Sequence, residues 1–281
     1  MLYFILLGIC RSLRLPTDFI NEPKKEKFSP DVIVGEIKSK GLKFEGMICT
    51  KTLYNYIERG IFEGISSQDL VEGGKRKKKS SKKPRQSLNN RSGTSIEERS
   101  EVINNREEAG HWEGDCVKGG KGKSKDGLYT MTERKTHEQI IKKIATTSQS
   151  EIKRCMDELE EAYGEEFNNK FKSITFDNGV EFLDWSSIET SILKGSEKRT
   201  KTYYAHAYSS WERGTNENHN RMIRRFIPKG TDISKVSDAR IKEIEDWMNN
   251  YPRKILGYKT PNEMVLSTYT ENALSVDYVA I

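Results

Sequence analysis

At 281 residues the chain is long enough for one substantial core plus a smaller module. Its 48 basic against 42 acidic residues leave a net charge of +6, a mild excess whose distribution says more than its sum. The four cysteines, Cys10, Cys49, Cys116 and Cys155, form no C-x-x-C pair and have no histidines at zinc-finger spacing, which reads as a reducing, cytoplasmic setting without a disulfide framework or structural zinc.

In chain order, residues 1–27 carry no assignable pattern. The apolar opening M-L-Y-F-I-L-L-G-I-C is too short to span a bilayer, and it lacks the basic start and small-residue cleavage site of a signal peptide. No membrane association is expected. Residues 28–62 read as a helix-turn-helix-like module. Ser29 followed by Pro30 marks a helix start, with Val32, Ile33 and Ile37 as its apolar face to about Lys40. Thr50 is the expected cap of a second short helix that ends at Gly60 and carries Lys51, Thr52, Tyr54 and Asn55, side chains suited to DNA. Small helical hairpins that never touch DNA share this pattern. Residues 63–95 form a basic linker. Within it Gly74 to Arg85 holds eight basic residues and no acid; Lys75, Arg76, Lys77, Lys78, Lys79, Lys82 and Lys83 suit a phosphate backbone.

From His111 the pattern becomes strand-like. Three segments, His111 to Val117, Gly127 to Arg134 and Glu138 to Ala145, alternate as an antiparallel meander, with a glycine-lysine turn after the first. A helix is predicted over Gln149 to Glu165, a strand over Phe171 to Phe176, and a second helix over Val180 to Ile192. A last strand follows at Lys201 to Ala205. Thr215 is the expected cap of a helix from Asn216 to Ile227, stopped by Pro228 and Gly230. Its apolar stripe is Met222, Ile223, Phe226 and Ile227, and Glu217, Asn220, Arg221 and Arg224 share the opposite face. Asp238 to Asn249 is one more amphipathic helix. The order predicts an α/β domain over 96–268, with a mixed five-stranded sheet and helices on both faces, and a tail over 269–281.

Three acids fall at element ends in this scheme: Asp115 on the first strand, Asp177 at the end of the fourth, and Glu217 opening the helix after the fifth. Each has a plain reading. Asp115 could face water on an edge strand, D-N-G at Asp177 is a common turn, and Glu217 could sit on a solvated helix face. Glu113 shares the strand face of Asp115 by period two, so either could point inward. Three carboxylates at one sheet edge would repel unless a cation joined them, and magnesium or manganese prefers such oxygen ligands. Two ions about 4 Å apart would promote in-line attack on a phosphodiester. The basic linker, the hairpin lysines Lys121, Lys123 and Lys125, and Arg221 and Arg224 would hold the polyanion.

These residues also carry a resemblance. G-H-W-E-G-D at Gly110 to Asp115, T-E-R at Thr132 to Arg134, F-D-N-G-V-E-F at Phe176 to Phe182, and Y-S-S-W-E-R-G-T-N-E-N at Tyr208 to Asn218 are similar to motifs of the transposases of the bacterial insertion sequence thirty family. So are R-R-F-I-P-K-G at Arg224 to Gly230 and N-Y-P-R-K-I-L-G-Y-K-T-P at Asn250 to Pro261. The resemblance spans about Ile96 to Met264. It implies a ribonuclease H-like integrase core with Asp115, Asp177 and Glu217 as its DDE triad and as ligands to Mg2+ or Mn2+, two ions in all. Arg213 and Asn218 join the expected DNA-binding residues. The expected partners are DNA, both the element's terminal repeats and its target, and further copies of the chain, at least a dimer in synapsis. The sequence departs from the family in having 39 residues between Asp177 and Glu217, somewhat more than usual, with the excess expected at Lys194 to Lys201. Ala207 stands where proline is common, and Cys116 where threonine is. The family's usual first helix-turn-helix is not recognisable, and residues 1–20 read as the product of a truncated or frameshifted start. The expectation is a metal-dependent DNA transposase. A catalytically idle DNA-binding regulator, and a hydrolytic nuclease on the same fold, are the other readings.

Overall fold

The structure, a computed structural model, describes residues 28–43, 48–61, 67, 70, 93–206, 209, 212 and 214–268. Among them no helix is long and apolar enough to cross a membrane. The chain divides into two compact units. One comprises the described residues of Met1–Lys83 and Asn250–Thr270, the other those of Pro84–Asn249.

In the first unit, helix α1 spans Pro30–Ser39 and α2 spans Thr50–Glu58. Ser29 caps α1 by accepting from the Val32 amide at 3.4 Å, and proline in the first turn loses no hydrogen bond there. Val34 of α1 packs with Leu53 and Ile57 of α2 in a small core. Thr50 does not cap α2. It lies inside the helix, and Cys49 holds the N-cap position without a side-chain cap bond; its Sγ instead meets Thr52 Oγ1 at 3.3 Å. Residues 250–268, which the sequence pattern runs on from the sheet domain, group with these helices. The Tyr251 ring meets Phe28 edge-on at 4.9 Å, and Tyr258 Oη donates to Asp31 at 3.4 Å. The Tyr258 ring lies flush against α1 because residue 35 is glycine: a Cβ there would come within 2.0 Å of a ring carbon.

In the second unit five strands, β1 His111–Lys118, β2 Gly127–Glu133, β3 Gln139–Ile144, β4 Ser173–Phe176 and β5 Lys201–Tyr204, form one sheet in the order β3-β2-β1-β4-β5. The first three are the expected antiparallel meander, and β4 and β5 add in parallel, so the sheet is mixed. One face, presented by Trp112, Tyr129, Met131 and Ile174, is covered by helix α3 (Gln149–Tyr163) through Ile152, Cys155 and Met156, and by Ile188 of α4 (Trp185–Glu189). The other face receives helix α5 (Gly214–Ile223), where His219 Nδ1 meets Gln139 Oε1 at 2.7 Å and Thr132 Oγ1 at 3.3 Å.

Helix α6 (Asp238–Asn249), which has the bounds the sequence predicts, runs along β3. The Asn249 carboxamide accepts from the Gln139 amide at 2.8 Å and donates to its carbonyl at 2.9 Å, and Glu245 accepts from the Ile141 amide at 2.6 Å. On the opposite edge the outward amides of β5 are also satisfied. Thr202 N donates to Glu189 Oε1 and Tyr204 N to the Thr94 carbonyl.

Three helices differ from expectation. The Val180 to Ile192 segment is a 3-10 turn, Val180–Phe182, followed by α4, because Asp184 starts a fresh helix by accepting from the Ser187 amide. The helix from Gln149 stops at Tyr163, where Gly164 turns to φ +54°. Helix α5 begins at Gly214, so Thr215 is an interior, buried residue and not a cap; its hydroxyl instead accepts from Arg106 at 2.9 Å. The same helix ends at Ile223, as its last turn tightens to three-residue spacing at Arg225 and Phe226.

Candidate active site

The three sequence-selected acids occupy the expected elements. Asp115 is on β1, Asp177 follows β4 directly, and Glu217 lies in the first turn of α5. Glu113 pairs with Thr175 at the end of the parallel β1–β4 ladder, and Asp115 and Asp177 each follow that pair by two residues. Residue 114 must be glycine for the two strands to lie this way, since a Cβ would come within 2.3 Å of the Phe176 ring.

Glu113 and Asp115, left open by period two, have different environments. Glu113 is wholly buried and ion-paired to the buried Arg134. Burial lowers the Arg134 pKa, and the Glu113 carboxylate works against that shift. Asp115 is half-buried; its Oδ1 accepts from the Cys116 amide at 2.8 Å and its Oδ2 from Asn220 Nδ2 at 2.7 Å. It opens on a cavity of about 500 Å³ shared with Asn216, Glu217, Asn220 and the basic Arg221, Arg224 and Lys229. Asp177 is not among the lining residues. Its Oδ1 accepts from the Gly179 amide at 2.9 Å, so the turn reading of D-N-G holds as well. Among the described residues no three His, Cys, Asp or Glu side chains gather closely enough to hold a metal ion. The donors nearest the cavity are carboxylate oxygens with a carboxamide beside them, chemistry that fits a hard divalent cation.

Sequence reasoning missed two side chains here, Glu181 and Asn216, and gave a third, Asn220, a place on the face of Glu217 but no role. Glu181, inside the F-D-N-G-V-E-F motif, is 6% exposed and ion-paired to Lys118 at 3.1 Å. Burial pushes the Cys116 thiol up strongly, and the carboxylates of Glu181, Asp115 and Asp177 push it further. Asn216 and Asn220 flank Glu217 at helical spacing, and their presence in T-N-E-N-H-N was the available signal. Asn220 holds Asp115; Asn216 is 2% exposed, with neither carboxamide atom hydrogen-bonded.

The expected face of α5 is observed, with Glu217 and Arg221 exposed and Met222, Ile223 and Ile227 buried. Arg224 is anchored by donating to the Lys118 carbonyl at 2.7 Å, and burial lowers its pKa. Asn218 is exposed and accepts from Arg221 at 3.3 Å, and it does not line the cavity. Lys121 and Lys123 are exposed on the first hairpin, which is pinned to the loop after α5 by Gly120 N to Thr231 O at 2.9 Å and Ser124 Oγ to Asp232 at 2.7 Å. In the other unit Lys51, Tyr54 and Asn55 are exposed on α2, and Thr52 is half-buried. Lys75, Arg76, Lys77, Lys78, Lys79, Lys82, Lys83 and Arg213 lie outside the described residues.

No family model matches the chain. It is 39% identical over 221 residues to a Streptococcus salivarius protein named "Probable transposase for insertion-like sequence element IS1161", covering 79% of this chain and 59% of that one. It is 31% identical to the Escherichia coli transposase InsI for insertion sequence element IS30A, over 87% of this chain and 62% of that protein. The chain thus spans about three fifths of the length of those two relatives. The transposase for insertion sequence element IS4351 of Bacteroides fragilis is 33% identical over 258 residues, 89% of this chain and 73% of its own length. On that extended likeness, with the expected mixed five-stranded sheet, the chain belongs to the insertion sequence thirty family of transposases.

Proposed function

We propose that the chain is a DDE-type transposase that cuts and joins DNA at the ends of its own element. The observation that carries this is one cavity in which Asp115 and Glu217, from a strand and a helix far apart in sequence, meet the cationic side chains of Arg221, Arg224 and Lys229. An acidic wall serves a metal-assisted reaction, and a basic wall holds a phosphodiester backbone. Asp115, Asp177 and Glu217 would hold Mg2+ or Mn2+. When bound, the ions would activate an attacking oxygen and stabilise the leaving one. Asn220 fixes the Asp115 carboxylate, and Arg224 is a preset cation tied to the end of β1. In this reading residues 28–62 and the basic linker over 63–95 bind DNA ahead of a catalytic core whose expected span of 96–268 narrows to 96–249, since residues 250–268 group with the first unit. Two element ends are brought together by at least a dimer, in the bacterial cytoplasm.

The test is cleavage and strand transfer on a duplex bearing a terminal repeat, in magnesium or manganese. Asp115→Asn, Asp177→Asn and Glu217→Gln are each expected to abolish both reactions while duplex affinity stays within about twofold, because the phosphate contacts remain. A variant that cleaves like wild type removes its residue from the triad. Cleavage without a joined donor-target product marks a hydrolytic nuclease, and binding without any cleavage marks a regulator.

A further inference from the structure

Asn216 is 2% exposed, and neither its Oδ1 nor its Nδ2 has a hydrogen-bond partner. A carboxamide carries two N–H donors and an oxygen with two lone pairs, all hydrated in the unfolded chain. Burying them unmet is unfavourable, and native interiors hold such a group only where something accounts for it. Its neighbours on α5 are differently placed: Thr215 accepts from Arg106, His219 meets Gln139, and Asn220 donates to Asp115.

Asn216 lines the cavity in which Asp115 and Glu217 face Arg221, Arg224 and Lys229. The cationic side selects an anion. An amide donor close to those cations suits an oxygen of that anion, and the amide oxygen requires a hydroxyl or amine donor. A phosphodiester with a strand-end hydroxyl beside it supplies both. We propose that Asn216 contacts the DNA strand itself, Nδ2 donating to a non-bridging phosphate oxygen seated in the cavity and Oδ1 accepting from the adjacent hydroxyl. The proposal rests on the transposase reading and adds to it a residue outside the acidic triad.

The test uses the full chain and a duplex bearing the terminal repeat. Asn216→Leu keeps the branched shape and removes both polar atoms. Without DNA its thermal midpoint is expected to match or exceed wild type, because an unmet amide has been replaced by an apolar group. Cleavage is expected to fall on the order of ten- to a hundredfold. A single neutral methylphosphonate at the cleaved junction is expected to harm wild type strongly and the variant little, since both changes remove the same interaction. Should Asn216→Leu not fold, Asn216→Asp, nearly isosteric but without the donor, takes its place in the same comparison. Wild-type cleavage by the variant overturns the proposal, as does a methylphosphonate penalty equal in the two proteins. If midpoint and cleavage both fall, the methylphosphonate comparison decides. A wild-type chain that neither binds nor cleaves the duplex overturns the transposase reading and this interaction with it, an outcome distinct from failure of the Asn216 interaction alone.

Discussion

Two acids two residues apart on one strand have separate fates because one found a buried guanidinium and the other a cavity. Glu113 is ion-paired to Arg134 out of reach of water, so Glu113→Gln strands a buried positive charge. Removing one member of such a pair costs about 3–5 kcal/mol, which chemical denaturation will measure as a lower midpoint at unchanged slope. Asp115→Asn, by contrast, is expected to leave stability within about 1 kcal/mol, its carboxylate being half-buried and accepting from the neutral Cys116 amide and Asn220 carboxamide. The sequence placed both residues on one face; it could not say which was paired, because Arg134 reaches Glu113 only through strand register. His206 makes a pH prediction. Its Nδ1 lies 2.8 Å from Glu212 and its Nε2 3.2 Å from Glu97, and the Glu212 hydrogen bond, with both carboxylates' charge, raises its pKa. The protonated ring is the favoured form in the fold. Its stabilisation is therefore complete below the ordinary histidine pKa of about 6.5 and is lost as pH rises through the raised value. Titration of the ring by NMR is expected to show that elevation in wild type and its loss in Glu212→Gln.

At the scale of elements, those with a strong period were legible. The meander, β4, β5 and α6 lie where alternation and helical spacing put them, with ends shifted by a residue or two. The part of the long Asp177–Glu217 stretch that precedes β5 was not, since one buried cation rather than a pattern ties it down. Arg199 is 1% exposed and donates to Glu160 at 2.9 Å, Asp157 at 2.8 Å and the Ile188 carbonyl at 2.8 Å. It thereby ties the expected insertion at Lys194 to Lys201 to helix α3. Arg199→Met leaves Glu160 buried beside Ser191 without its cation, and a loss of about 3–5 kcal/mol is expected. Hydrogen exchange is expected to accelerate first at the Ser191 and Arg199 amides, which bond across the base of that insertion. Gly35 in α1 is the counterpart in the first unit. Gly35→Ala drives a methyl into the Tyr258 ring and is expected to cost about 1–3 kcal/mol, read as a lowered thermal midpoint. No periodicity could have revealed that packing, as it joins α1 to a segment more than two hundred residues later.

For the molecule as a whole, charge distribution governs what it meets. The run from Lys75 to Arg85 carries the densest positive charge in the sequence. Changing Lys77, Lys78, Lys79, Lys82 and Lys83 to glutamine is expected to weaken binding to all duplexes alike. The slope of log affinity against log salt should flatten by up to roughly 0.9 for each phosphate no longer neutralised, and a changed base preference at constant slope would show base reading instead. Of the candidate cavity, Asp115 and Glu217 were legible as acids at element ends, and Asn220, Arg221 and Arg224 as neighbours on the helix face of Glu217; the bond from Asn220 to Asp115 and the burial of Asn216 were not, because polar residues on a helix face announce no partner. The sheet margins bear on how copies of this chain can join. Asn249 imitates a neighbouring strand along β3 with one carboxamide, Glu245 takes the next amide, and Glu189 with the Thr94 carbonyl does the same for β5. Among the described residues neither border offers a free ladder for strand addition. An association between copies through these described strands would therefore run through side-chain surfaces, whose affinity single substitutions and salt can tune, and not through a continuous backbone zipper.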